Sequence, residues 1–347
     1  MIKVGIIGCG KITQVRHAPE YAENSNCKIV AFYDNQFERA EALAKEYGAV
    51  ACKTMDELLD MDVDAVSVCV ANVAHAEVSI KALNKGKHVL CEKPMATTVE
   101  ECVAMIEAAE KNNVQLMIGQ NQRFAKAHVK AHELIQNGAI GKVLTFRTVF
   151  GHPGPEGWTG EANSWFFDKK IAHFGAMADL GVHKTDLIHY LLDDEIVEVI
   201  SAIRTLDKKF PDGTPISVDD NSYCIYQTKK GAIGTMHVSW TFYGNEDNST
   251  VIYGTEGIIK CYADPEASLI VEKPNGDVER YALDQMTSNK EQTNNGRTNT
   301  GVIDCFVDSI VNNKEVPISG KEASKAMRVV LAAEESAKLN AAVKVKY

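Results

Sequence analysis

The chain has 347 residues, 45% of them hydrophobic and 24% charged, with a formal net charge of −10. That length suffices for two domains with separate cores, and the composition is that of a soluble globular protein. The acidic balance disfavours a general binder of nucleic-acid backbones, and no apolar run is long enough to span a bilayer.

Residues 2–7 form an apolar strand, with Ile2, Val4, Ile6 and Ile7, that runs directly into Gly8-Cys9-Gly10. Such a strand suits the centre of a parallel sheet buried on both faces. Because it begins at residue 2, no basic, apolar and small-residue leader is expected. Gly8 allows a tight turn out of the strand. Gly10 lets the backbone approach a pyrophosphate at the start of a helix over 12–22, and Lys11 and Ile12 are expected at the same cofactor site. The third position of the glycine fingerprint holds Thr13, which is expected to loosen helix–strand packing or shift the helix.

A second strand over 28–33 delivers Asp34 at its C-terminal end, 24 residues beyond Gly10. A carboxylate there accepts hydrogen bonds from adenosine ribose hydroxyls and repels a 2′-phosphate. No Arg or Lys follows until Arg39, so the cofactor reads as NAD rather than NADP. An ordinary βα turn would explain the glycines alone, but not strand, turn and acid together.

Strand signals continue at 65–70, 88–91 and 114–119, alternating with helical periodicity at 37–47, 55–59, 75–85 and 99–112. This order calls for a parallel sheet with right-handed crossovers. Beyond Lys142 strands dominate: 142–150, 196–205, 222–228, 232–239, 250–253, 257–262, 268–272 and 278–283. Lys229-Lys-Gly231 and Asn275-Gly-Asp277 mark hairpin turns. Helices are expected over 177–192, 300–311 and 321–340.

The fold class is therefore α/β. An N-terminal Rossmann domain with a doubly wound parallel sheet occupies 1–122. A C-terminal α+β domain on a large, mostly antiparallel sheet occupies 123–347, and the final helix has the option of packing back on the first domain. Strands 232–239 and 250–253 have apolar residues to spare for both faces. An uncovered apolar face needs a second subunit, so a homodimer or a dimer of dimers (a homotetramer) is expected. The nine cysteines include no Cys-x-x-Cys pair; Cys9, Cys69 and Cys91 lie in or beside strands as free thiols, and cytoplasmic residence is expected.

Glu92-Lys93-Pro94 places a lysine directly after a buried strand, at the carboxyl edge where open α/β sheets bind ligands. Asp179 and His183, at i and i+4, share one face of their helix and can act together on a proton. Either side of a surface ion pair has the same spacing, so the pattern alone is not proof of chemistry. Glu272-Lys273-Pro274 repeats the tripeptide, but Asn-Gly-Asp follows at once, so Lys273 is expected to be a solvated hairpin residue. His128 and His132 also stand at i and i+4, on 125–136. No third ligand accompanies them, so a surface helix and no metal site is expected. Trp165, Phe166 and Phe167 read equally as a sugar-binding wall or as core.

These motifs resemble the Gfo/Idh/MocA family, the glucose–fructose oxidoreductase and inositol dehydrogenase group. The resemblance rests on the opening Gly-Ile-Ile-Gly-Cys-Gly, Val70-Ala-Asn-Val-Ala-His75, the run from Gly86 to Pro94, Gly119-Gln-Asn-Gln-Arg-Phe124, Asn137-Gly-Ala-Ile-Gly141, Asp179-Leu-Gly-Val-His183 and Tyr253-Gly-Thr-Glu-Gly257. It covers nearly the whole chain. It implies that Lys93, Asp179 and His183 are catalytic and that Asn72, His75, Glu92, Lys93 and Gln120 lie near the cofactor. It further implies hydride transfer between a nicotinamide cofactor and a secondary alcohol of a sugar, inositol or related polyol.

In that scheme His183 takes the hydroxyl proton, Asp179 orients it, and Lys93 hydrogen-bonds the oxygen. Beside a positively charged nicotinamide a protonated Lys93 is disfavoured by like charge, so Lys93 is equally a candidate proton acceptor. Many members carry a glycine run where this chain has Ala172-His-Phe-Gly175, so His173 or Phe174 is expected to narrow the substrate site, and Trp165 and His173 are the candidate substrate residues. Relatives also include NAD-dependent glycoside hydrolases that act by transient oxidation, and dinucleotide-binding regulators without catalysis. The lysine, aspartate and histidine together favour a dehydrogenase.

Overall fold

The computed structural model describes residues 1–286 and 299–347, which fall into two compact units. The first contains Met1–Gln120 and residues 299–324; the second contains residues 121–286 and Lys325–Tyr347.

In the first unit six strands form one sheet: β1 (Ile2–Ile7), β2 (Cys27–Tyr33), β3 (Val50–Cys52), β4 (Ala65–Val68), β5 (His88–Cys91) and β6 (Leu116–Ile118). Their order is β3-β2-β1-β4-β5-β6, with every neighbouring pair parallel. This is the doubly wound order, and its reversal point lies between β1 and β4, where such sheets open a crevice at the strands' carboxyl ends. Val4 and Ile6 are wholly buried and Ile7 nearly so, as a central strand requires.

Helices Phe37–Tyr47, Met55–Asp60, His75–Asn84 and Val99–Lys111 provide the crossovers. Two start at full capping boxes, Thr54 with Glu57 and Thr98 with Glu101, each satisfying free backbone N–H groups of the first turn. The edge strand β3 went unread in the sequence. It has three residues, and only its pairing with Ala31–Tyr33 of β2 makes it a strand.

The second unit is built on nine strands: β7 (Val143–Gly151), β8 (Ile196–Arg204), β9 (Asn221–Thr228), β10 (Ile233–Ser239), β11 (Thr250–Gly254), β12 (Gly257–Cys261), β13 (Leu269–Glu272), β14 (Val278–Tyr281) and β15 (Val343–Lys344). The order is β14-β13-β12-β11-β7-β10-β9-β8-β15. Every pair is antiparallel except β7 with β10, which is parallel. The expected turns at Lys229–Gly231 and Asn275–Asp277 do join adjacent antiparallel strands.

On one face Phe146, Tyr226, Met236 and Ile252 are buried. Helix Val182–Leu192 packs against β7 and helix Lys126–Gln136 against β12 on this side. On the other face Ile200 pairs directly with Ile225, Tyr223 and Ile233 share that face, and all four are 45% to 55% exposed. Among the described residues no helix is long and apolar enough to cross a membrane.

Candidate functional site

The first unit holds Gly8, Gly10, Lys11, Ile12, Asp34, Asn72, His75, Glu92, Lys93 and Gln120; the second holds Trp165, His173, Asp179 and His183.

In the first unit, the turn after β1 meets the end of β4. Gly8 has φ +94°, and a Cβ added to it would lie 2.3 Å from the Cys69 carbonyl oxygen. Only glycine fits. A Cβ on Gly10, by contrast, would meet no heavy atom within 4 Å. Open space thus lies over Gly10, with a helix starting immediately after it.

That helix is π-helical over Thr13–His17 before continuing as α-helix over Ala18–Glu23. Thr13 is fully buried, and its hydroxyl donates to the Gly8 carbonyl at 2.6 Å. The larger residue at the third glycine position is thus accommodated with a hydrogen bond, in a stretch where the helix makes a π turn. Asp34 Oδ2 accepts the Cys9 N–H at 2.7 Å and Oδ1 accepts the Gln36 N–H at 2.8 Å. The carboxylate is pinned at the strand end, and each oxygen keeps a lone pair for a ribose hydroxyl.

The remaining cofactor candidates sit along the carboxyl ends of β4, β5 and β6. His75 is buried, with Nδ1 2.6 Å from the Pro94 carbonyl and Nε2 3.1 Å from the Val70 carbonyl. Burial pulls this imidazole below its ordinary pKa, against the raising influence of those contacts and of Glu92. Its nitrogens face one main-chain carbonyl of the Lys93 segment and one just beyond β4, so His75 ties that segment to the end of β4. Asn72 is buried on the short turn before His75.

Glu92 is buried, with Oε1 2.8 Å from His17 Nε2 and 3.9 Å from an Arg16 nitrogen. Burial alone would raise its pKa, but His17, Arg16 and Lys93 hold it well below the usual carboxylate range. Lys93 is half-buried. Gln120 is 1% exposed, and its Oε1 has no hydrogen-bond partner among the described residues. An orphaned acceptor at a sheet's carboxyl edge, an open cradle over Gly10 and a pinned Asp34 all fit an NAD molecule.

In the second unit, Asp179 lies in a π-helical stretch, Met177–Gly181, that continues into helix Val182–Leu192 with His183 in its first turn. Both are buried at 7% exposure. Single π turns recur at functional sites because they re-aim side chains. Trp240 Nε1 donates to Asp179 Oδ2 at 3.1 Å, fixing the carboxylate. The helix start is held by Asp219, which accepts the Gly175 N–H at 2.9 Å and the Met177 N–H at 2.7 Å. Burial pushes Asp219 up to about 6 despite these bonds.

Next to His183, Lys184 is wholly buried; its ammonium donates to the Asn248 carbonyl at 2.9 Å and to Thr250 Oγ1 at 3.3 Å. Burial pulls it down to about 7. Trp240, Asp219 and Lys184 carry no motif, and nothing short of the folded chain reveals them.

His173 has φ +67°, a strained conformation for a non-glycine residue, and packs its ring 4.3 Å from that of Phe174. The aromatic run divides. Phe166 and Phe167 are core, packed on Trp240, while Trp165 is half-buried and stacks on Phe166 at 3.9 Å.

Two sequence expectations are corrected here. His128 is not on a surface: it is fully buried, with Nδ1 2.8 Å from the Gln122 carbonyl, because the helix turns that side onto β12. Lys273 is half-buried rather than solvated, because its ammonium donates to the Ala139 carbonyl and ties its hairpin to the turn before β7.

Comparison with known proteins adds independent findings. Residues 2–120 match the family model described as an oxidoreductase family with an NAD-binding Rossmann fold, and residues 128–260 match the GFO/IDH/MocA C-terminal domain. Glucose-6-phosphate 3-dehydrogenase of Bacillus subtilis is 33% identical over 235 residues, 66% of this chain and 65% of that one. The match thus covers just under two thirds of that relative's length. Inositol 2-dehydrogenase 3 of Saccharopolyspora erythraea is 31% identical over 269 residues, 75% of this chain and 72% of that one. A levoglucosan dehydrogenase solved with NADH and levoglucosan superposes with a TM-score of 0.87 at 25% identity, covering 100% of both chains.

Proposed function

The chain belongs to the Gfo/Idh/MocA oxidoreductase family, and from that premise we propose that it is an NAD-dependent dehydrogenase acting on a secondary alcohol of a sugar, inositol or related polyol. The observation that carries the reading is that one chain holds both a dinucleotide cradle at Gly8–Gly10 in its first unit and, in its second, a buried, indole-fixed aspartate one helical turn before a buried histidine.

Bound NAD supplies the hydride acceptor. His183 takes the proton of the alcohol, and Asp179, held by Trp240, orients its imidazole and stabilises the charge it gains. Lys93 hydrogen-bonds the alcohol oxygen and steadies the negative charge that develops there. Asp34 receives the adenosine ribose, and Trp165 and His173 shape the alcohol side. Relatives named for sugars and inositols support that substrate class.

The exposed apolar row of Ile200, Tyr223, Ile225 and Ile233 is covered by a second copy of the chain, giving a homodimer or a dimer of dimers. All nine cysteines are free, which suits a reducing compartment such as the cytoplasm.

The test is a panel of polyols, inositols, sugars and sugar phosphates, read by the absorbance of reduced nicotinamide. Net reduction with at least one alcohol, abolished by Lys93→Ala, is expected. Glycosidic bond cleavage without net reduced cofactor would refute the dehydrogenase reading. A monomeric mass by light scattering at micromolar concentration would refute the assembly.

A further inference from the structure

His17 is a buried titratable group that the chemistry above does not use. It lies in the π-helical stretch after the glycine turn and is 1% exposed. Its Nε2 stands 2.8 Å from Glu92 Oε1, and its Nδ1 3.0 Å from Ser67 Oγ, which the Tyr21 hydroxyl meets at 2.9 Å. The other oxygen of the same carboxylate, Glu92 Oε2, accepts the backbone N–H of Lys93 at 3.1 Å. Two consecutive links therefore join the helix of the dinucleotide turn to the main chain of Lys93, all inside the first unit.

We propose that His17 is a positioning residue for Lys93, acting through Glu92: the imidazole fixes the carboxylate, and the carboxylate's second oxygen fixes the Lys93 backbone at the carboxyl end of β5. This rests on the role given to Lys93 above.

The charges around the imidazole support it. Arg16, Glu20 and Tyr21 lie on its own helix, Cys69 follows β4, and Glu92 and Lys93 follow β5. Burial pulls the imidazole down, but the Cys69 sulfur and the Glu92 carboxylate outweigh it, and the group is pushed up to about 10. An imidazolium donates to Glu92 through Nε2 and to Ser67 through Nδ1, so the buried carboxylate keeps a charged partner throughout the neutral range. A leucine in its place would leave Glu92 Oε1 with the longer Arg16 contact at 3.9 Å, so the carboxylate is held less firmly and its hold on the Lys93 N–H weakens.

The test begins with the protein free of cofactor. Selective isotopic labelling of glutamate carbonyls and lysine nitrogens selects the amides of the three lysines that follow a glutamate, Lys93, Lys111 and Lys273, and the resonance missing from Lys93→Ala identifies that of Lys93. His17→Leu should move that resonance, while His17→Gln, whose amide N–H can reach the same oxygen, should return it most of the way toward wild type. In turnover assays His17→Leu should lower kcat at least tenfold, with KM for NAD within about twofold, and His17→Gln should recover most of the loss.

Glu92→Gln gives a second reading: the His17 ring should then titrate at lower pH, since its charged partner is gone. A folded His17→Leu protein with an unmoved Lys93 amide, or with wild-type kcat, would overturn the proposal. If Lys93→Ala itself retains turnover, the role of Lys93 fails instead, and the amide shift still decides the link from His17.

Discussion

Replacing Gly8 and Gly10 separately by alanine should separate stability from cofactor binding. At Gly8 the backbone lies at φ +94°, and the new Cβ would sit 2.3 Å from the Cys69 carbonyl oxygen and 2.6 Å from its carbon. A left-handed conformation costs an L-residue about 1–2 kcal/mol. Forcing backbone atoms apart in a packed region adds about 1–3 kcal/mol. The sum, roughly 2–5 kcal/mol, should lower the melting temperature of the cofactor-free protein by about 10 °C.

At Gly10 no heavy atom lies within 4 Å of the new methyl. Cofactor-free stability should hold or rise by about 0.4–1 kcal/mol, because alanine restricts the unfolded chain. The same methyl stands where a pyrophosphate must approach the helix start. Losing one charged hydrogen bond there costs about 1.5–3 kcal/mol, at least tenfold in NAD affinity. Thermal melts of the cofactor-free proteins and calorimetric NAD titrations read both effects. Wild-type NAD affinity in Gly10→Ala would refute the placement of the pyrophosphate over that turn.

Three further outcomes follow from named contacts. Asp34→Ser with Asn35→Arg should shift preference from NAD toward NADP, measured as the ratio of the two dissociation constants; equal binding of both by the unmodified protein would remove Asp34 from its role. Lys93→Ala should cripple turnover with folding intact, whereas Lys273→Ala should cost about 1 kcal/mol of stability for its lost bond to Ala139 and leave kcat unchanged. Comparable kcat losses at both positions would show that the two Glu-Lys-Pro copies are not distinguished by context. Lys184 is depressed from 10.5 to about 7, so its native form holds fewer protons than the unfolded chain between those values. Its contribution to stability is fully present above pH 10.5 and is lost as pH falls toward 7, by a few kcal/mol. Denaturant titrations at pH 7 and 9.5 should therefore show wild type gaining on Lys184→Met as pH rises, and a constant difference would refute the burial argument.

Much of this molecule was legible in one dimension. The turn Gly8-Cys9-Gly10 between an apolar strand and a helix, with Asp34 at the next strand's end, needs only local geometry and a short apolar run buried on both faces to be read. The hairpins at Lys229–Gly231 and Asn275–Asp277 were equally visible, because their turn residues demand a particular backbone. The spacing of Asp179 and His183 pointed to one helix, although the π turn at Met177–Gly181 that re-aims Asp179 did not announce itself.

What the tertiary structure decided is which distant groups become neighbours. His17 meets Glu92 across 75 residues, and Trp240 meets Asp179 across 61. The parallel pairing of β7 with β10 brings together strands that no turn connects. The same packing buries His128 and Lys184 on faces whose spacing reads as ordinary helix, and draws Lys273 into contact with Ala139. Periodicity and turn chemistry are properties of a few adjacent residues, so they survive in the sequence. Burial, charge pairing and the identity of a hydrogen-bond partner depend on sheet order, and that order is set by the summed packing of whole elements rather than by any local signal.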